Sequence, residues 1–115
     1  MATAPKTGAP EISASQSSKE VTHNQAVRIF DALVMPNVID KDLADAPAAS
    51  DGDTYIVATG STSGDDWDGH ADDIAYYSSS GWIFMTPAAG WLVYVTDEDT
   101  YYKFMDSAGW TATAI

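Results

Sequence analysis

From Asp73 onward, turn-forming clusters punctuate the chain every few residues, and three of those turns end in the same dipeptide, Gly81-Trp82, Gly90-Trp91 and Gly109-Trp110. No other feature constrains the fold as much. Glycine supplies the positive φ that a tight turn needs, and tryptophan then opens the next strand with a large apolar surface. The runs Asp73–Ser78, Trp82–Thr86, Trp91–Thr96, Thr100–Met105 and Trp110–Ala114 are bounded by Gly, Pro, Ser or Asp clusters and read as strands. Thr54–Thr59, with Tyr55, Ile56 and Val57 after a turn at Asp51-Gly52, reads as one more. Connections this short leave no room for crossover helices, so antiparallel pairing is expected and parallel pairing disfavoured. Alternation puts Tyr102 and Phe104 on the core side of their strand and Tyr101 with Lys103 on the other. The run WLVYV at 91–95 is apolar on both sides and should lie centrally or under a helix.

One helix signal precedes these strands, in Ser17 to Val34. Ala26, Ile29, Phe30, Leu33 and Val34 recur at three- and four-residue steps, which places them on one face and turns Lys19, Gln25, Arg28 and Asp31 largely outward. That apolar face is expected to serve packing or assembly, with Phe30 in a packed site. Ser17 and Glu20 have the form of a capping box, with Thr22 and Gln25 a rival start one turn later. Pro36 ends the helix by disfavouring the helical conformation at Met35. Between helix and strands, 38–53 reads as a surface connection with one helical turn around Asp42 to Asp45.

The ordered combination KEVTHNQAVRIFDALV (19–34), DGDTYIV (51–57), DWDGHADDIAYY (66–77) and SGWIFMTPAAGWLVYV (80–95) resembles a domain-of-unknown-function family encoded by alphaproteobacterial phages, prophages and gene transfer agents. The likeness runs from about Pro10 to Trp110. It implies a virion component of a tail fibre, tail tip or head spike, and brings no catalytic residues with it. Other virion proteins are then partners, and the virion is the location of a protein made in the bacterial host cytoplasm.

At 115 residues the chain is one domain. A chain of this size buries only somewhat over 60% of its unfolded surface, roughly, so association with further copies would add useful burial. A homo-oligomer, a trimer first of all, is expected. The absence of cysteine removes disulfides and thiolate chemistry. The start, MATAPKTGAPEISASQSS, lacks the apolar core of a signal peptide, and 1–16 is expected to be a flexible arm ahead of a single helix-plus-β domain at 17–115. No apolar run approaches the roughly 18 residues that span a membrane, so membrane insertion is not expected. Formal charge is −12, from 17 acidic and 5 basic side chains. After Ser50 the sole basic residue is Lys103, which argues against nucleic acid, whose binding needs clustered Lys and Arg.

Chemistry-bearing constellations are few. The loop GDDWDGHADD gathers Asp65, Asp66, Asp68, His70, Asp72 and Asp73, a set able in principle to hold calcium or, through His70, a transition metal. It lacks the alternation of an EF-hand loop and its terminal glutamate, so a solvated loop with Trp67 plugging the core is the simpler reading, and no metal or other cofactor is assigned. Asp68 with Asp99 as a glycosidase pair, or His23 or His70 in a serine triad, has no supporting motif; no G-x-S-x-G elbow is present. The aromatic residues remain: tyrosine and tryptophan rings stack on sugars while acids accept from sugar hydroxyls. Trp67, Asp68, His70, Tyr76, Tyr77, Asp99 and Tyr101 are therefore the candidate contacts for a host-surface polysaccharide, while Ala26, Ile29, Phe30 and Leu33 are the candidate assembly face. The expectation is a mainly β protein, an N-terminal α-helix followed by an antiparallel β-sandwich or barrel of about six short strands. Its expected role is non-enzymatic virion assembly and host attachment, against a free carbohydrate-binding module or a small glycan hydrolase.

Overall fold

The computed structural model describes residues 3–11, 19–79 and 81–114. It is mainly β. Helix α1 (Lys19–Leu33) is followed by seven strands: β1 (Asn37–Val38), β2 (Thr54–Ile56), β3 (Ile74–Ser78), β4 (Gly81–Met85), β5 (Leu92–Val95), β6 (Thr100–Met105) and β7 (Gly109–Thr113). They form a four-stranded sheet, β1-β5-β6-β7, and a three-stranded sheet, β2-β3-β4, in a sandwich-like arrangement with no closed barrel among the described residues. Each of the six expected strands is present. Gly81, Gly90 and Gly109 have φ of 136°, 93° and 71°, the left-handed backbone that made glycine the residue of choice before each tryptophan.

β1 was not expected, and it pairs in parallel with β5, Asn37 opposite Tyr94 and Val38 opposite Val95. The argument from short connections holds only between consecutive strands. Here the whole three-stranded sheet intervenes and serves as the crossover.

Two apolar clusters hold the layers. Ala32 of α1 joins Val38, Ile56, Ile74, Tyr76, Met85, Val93 and Val95 between the sheets, with Ile29, Leu33, Trp91, Tyr102 and Trp110 packed against them. Tyr55, Val57, Trp67 and Ala75 form the second cluster, on the far side of β2-β4, closed by Leu43, Ala46, Trp82 and Phe84. Register explains the division. Ile56 lies opposite Ile74 on one face of the sheet, while Tyr55 opposite Ala75 and Ala75 opposite Phe84 occupy the other.

The helix face differs from expectation. Phe30 is 65% exposed and Val34 54%, whereas Arg28 is 8% and Asp31 1% exposed. Ala26 is also exposed, and Ile29 and Leu33 are half-buried. The polar residues turn inward because charged partners await them: Arg28 bonds Glu11, Asp51 and Tyr76, and Asp31 accepts from Tyr76, Lys6 and Thr7. Counting apolar residues cannot see a buried face that is paired rather than greasy.

Those partners also hold the described part of the arm. Residues 3–11 are not free but folded onto α1 and the sandwich, with Ala4 1% and Glu11 6% exposed. The capping box at Ser17 lies outside the described residues. The helix stops at Leu33 as Pro36 requires, and Met35 takes a left-handed φ of 49° with 87% of its surface exposed. No helical turn forms at Asp42–Asp45. That segment is held by other bonds, Ala58 N donating to Leu43 O at 2.9 Å and the Asp45 carboxylate accepting from Thr62 N at 2.7 Å.

Candidate functional site

The two sheets are covered unequally. The outer face of β2-β4 is sealed by Trp67 and its neighbours. The outer face of the four-stranded sheet stands open, with Leu92 38%, Tyr101 40% and Met105 37% exposed. Antiparallel register sets its residues side by side: Leu92 faces Lys103, Tyr94 faces Tyr101, Lys103 faces Thr111 and Tyr101 faces Thr113. Lys103 is the one charged side chain in that group. This aromatic, threonine-bearing face thus carries a single charge on a chain of net charge −12.

Where this face meets the end of α1 it is hollowed into a groove of about 610 Å³, walled by Val34, Met35 and Pro36 on one side and Leu92, Tyr94 and Tyr101 on the other, with Lys6 at its head. The tyrosine rings meet edge to face, 5.1 Å apart at 64°. The Tyr94 hydroxyl donates to Asp99, which fixes the half-buried ring. Burial pushes the Lys6 ammonium below its ordinary value, against the opposing pull of Asp31 and Asp53. Chemically the groove offers apolar and π surface, while the Lys6 ammonium is already bonded to the Asn37 carbonyl and Thr54 Oγ1.

A second hollow, of about 500 Å³, lies between Val57, Thr59, Asp72, Phe104, Asp106 and Trp110. Trp110 Nε1 donates to the Asp72 carbonyl at 2.8 Å across it, tying β7 to the acidic loop. Among the described residues no hydroxyl hydrogen-bonds either histidine; His70 Nδ1 pairs with Asp73 at 3.0 Å and its ring stacks on Phe84 at 3.6 Å.

The sequence-predicted contacts therefore sort into separate groups. Trp67 and Tyr76 are 0% exposed, so neither ring is available to a ligand; Trp67 is the core plug, and its Nε1 finds no acceptor among the described residues. Asp68 is exposed and accepts from Gly64 N at 3.2 Å, closing its own loop. Tyr77 leans edge-on against Trp82, centroids 5.0 Å apart. Asp99 and Tyr101 do come together, at the Tyr94 end of the open face. Sequence reasoning missed Leu92, Tyr94, Met35 and Lys6. The available signal was WLVYV itself, since a strand apolar on both sides either is covered twice or presents a binding surface.

The acids that approach one another are likewise not those of the 65–73 loop. Ligand atoms of Asp40, Asp42 and Asp97 lie within 4.8 Å of each other. Lys41 already neutralises this corner, its ammonium 3.0 Å from Asp42 and 3.5 Å from Glu98 and 5.0 Å above the Tyr102 ring. Desolvation, then the charges of Asp40, Glu98 and Asp42, push the Asp97 carboxyl above its ordinary value.

Residues 23–111 match the family described as "Protein of unknown function (DUF2793)". The chain belongs to this family. The matched segment contains α1 from its second turn and both sheets up to Thr111 of β7, and leaves the arm outside. No curated protein and no solved structure matches the chain. No helix among the described residues is long and apolar enough to cross a membrane.

Proposed function

We propose that this DUF2793 chain is a non-enzymatic structural protein of a phage or gene-transfer-agent particle, a tail-fibre, tail-tip or head-spike component that serves assembly and host-surface attachment. The observation that supports this reading is the open face of the four-stranded sheet with its groove beside Met35. Its apolar character fits contact with other virion proteins or with further copies. Phe30 and Ala26 are also exposed on α1, on the helix stripe that leads to Val34 at the groove wall. At the Tyr101 end the rings of Tyr94 and Tyr101 suit stacking on a host polysaccharide, a shallow site whose weak single contacts become useful through many copies per particle.

Two variants test this, Leu92→Ser and Tyr101→Ala, each on an exposed position. Both are expected to melt within a few degrees of the parent chain, while particles made with them lose the protein or adsorb poorly to host cells, scored by immunogold labelling and adsorption counts. Normal incorporation together with normal adsorption of both variants would sink the proposal.

A further inference from the structure

The arm is a small closed unit. Thr3 and Pro10 bridge antiparallel, Ala4 N donates to Ala9 O at 2.8 Å, and Gly8 N donates to Ala4 O at 2.8 Å. It sits in a recess built entirely from the family segment. Asp31, 1% exposed, accepts from Lys6 N at 3.1 Å and from Thr7 N and Thr7 Oγ1 at 2.6 Å each. Arg28 grips Glu11 with two prongs, Nε to Oε2 at 3.0 Å and Nη2 to Oε1 at 3.1 Å. Lys6 Nζ reaches the Asn37 carbonyl at 2.7 Å and Thr54 Oγ1 at 3.3 Å. Gly52, at φ 92°, clears the last wall: a Cβ there would come within 2.5 Å of the Pro5 ring.

Such a recess is a receptor. Without its occupant, the buried Asp31 carboxylate would lose three of its four hydrogen bonds and the buried Arg28 guanidinium its two-pronged bond to Glu11, keeping Asp51 and Tyr76, a costly state for buried charges. Ligand and receptor are also separable, since 3–11 lies wholly outside the family segment 23–111 while Arg28, Asp31, Asn37, Gly52 and Thr54 lie wholly inside it. The charges are complementary in both directions, Lys6 toward Asp31 and Asp53 and Glu11 toward Arg28.

We propose that this recess is an exchangeable peptide-docking site, which in the assembled state holds the 3–11 unit of a second copy of the chain. Exchange reproduces every contact of the self-docked form, because ligand and recess are the same in each copy, so it costs no contact energy. The internal bridge of the unit pre-forms its shape and limits the entropy lost on docking. Linking copies this way also avoids pressing two acidic surfaces together, since each joint is made of opposite charges. The inference is independent of the open sheet face and stands or falls without it.

The test uses the unaltered chain. Equal parts of ordinary and nitrogen-15-labelled protein are refolded together and treated with an amine-reactive diazirine cross-linker, which attaches to Lys6 and on illumination inserts into the recess around Asn37 and Thr54, and the linked peptides are weighed. Arm exchange predicts mixed-isotope linked peptides at about half of the total, the statistical share for copies that trade arms freely. Linked peptides of single isotope only, or light scattering that shows a monomer at every concentration tested, overturn the proposal. A charge swap gives a second, independent reading. Glu11→Arg and Arg28→Glu chains each expose Lys6 to trypsin when alone, and an equimolar mixture regains protection at Lys6 of the Glu11→Arg chain only if its arm docks on the other chain. No regained protection counts against exchange.

Discussion

Replacing Asp31 by alanine strikes the most heavily used carboxylate among the described residues. Its two oxygens accept four hydrogen bonds, from Lys6 N, Thr7 N, Thr7 Oγ1 and the Tyr76 hydroxyl, the last at 2.6 Å. Three of those donors belong to the arm and regain water if the arm lifts away, so their loss is bounded by the docking energy of the arm. Tyr76 is 0% exposed and keeps only its contact from Arg28 Nη1 at 3.3 Å, so its hydroxyl is stranded. Bonds to a charged acceptor contribute about 1.5–3 kcal/mol each, and a stranded buried donor costs about 1–3 kcal/mol. Allowing for arm release, Asp31→Ala should cost about 3–5 kcal/mol, the range found when one partner of a buried ionic network is removed. Against a total of about 5–15 kcal/mol for a domain, that is a large fraction. Urea melts at neutral pH read the magnitude, and the rate of tryptic cleavage after Lys6 reads the mechanism, since it should rise well before global unfolding. A change under about 1 kcal/mol, with Lys6 still protected, would refute the reasoning that this carboxylate anchors the arm.

Phe30→Ala should change stability by no more than about 0.5 kcal/mol, as for surface substitutions generally, whereas Trp67→Ala should cost about 3–5 kcal/mol; equal melts for the two would mean the burial assignment is wrong. Trp67→Phe should cost clearly less than Trp67→Ala in the same assay, because it keeps much of the buried ring and removes the indole donor that lacks an acceptor. Burial raises the Asp31 carboxyl, but the hydrogen bonds from Thr7, Tyr76 and Lys6 outweigh it and hold the group below its ordinary value. The stability it contributes is therefore fully present above about pH 4 and is lost as pH falls through the lower folded value, so acid titration of the melting temperature should steepen below about pH 4 in the parent and flatten there in Asp31→Asn. At Asp97 the sign is opposite, since a raised carboxyl costs stability once it ionises, and Asp97→Asn should raise the melting temperature at neutral pH; a fall would show that the Asp40–Asp42–Asp97 corner is stabilised by a bound cation, which a chelator melt would check.

What the sequence made legible follows the reach of each signal. The strand at Thr100–Met105 was readable to the residue, because turn residues bound it and a clean alternation of Tyr101, Lys103 and Met105 against Tyr102 and Phe104 runs through it. β1 was not, because two residues carry no period, and only the distant strand β5 gives Asn37–Val38 a partner. The helix was found and then turned the wrong way. Arg28 and Asp31 read as solvated until Glu11, Asp51 and Tyr76, far away in the chain, are brought beside them. The candidate site fared similarly: Tyr101 was identified through its strand parity, while Met35, Lys6 and Leu92 join it only through tertiary packing.

The open face and the arm recess place opposite demands on one small domain, and the structure keeps them apart by charge. Of the five basic side chains, Lys6 and Arg28 are committed to the arm and its recess and Lys41 to Asp42 and Glu98. Of the two that remain, Lys103 stands on the open face. A domain this acidic can therefore approach a neighbour closely through the sheet face, whose one charge is Lys103, or through an exchanged arm whose ion pairs are already matched. Raising ionic strength separates them, since screening weakens exposed repulsion over roughly 8–10 Å but reaches a buried pair such as Arg28 with Glu11 far less. Contacts across the sheet face should strengthen with salt as acid–acid repulsion fades, and contacts through the arm should barely respond.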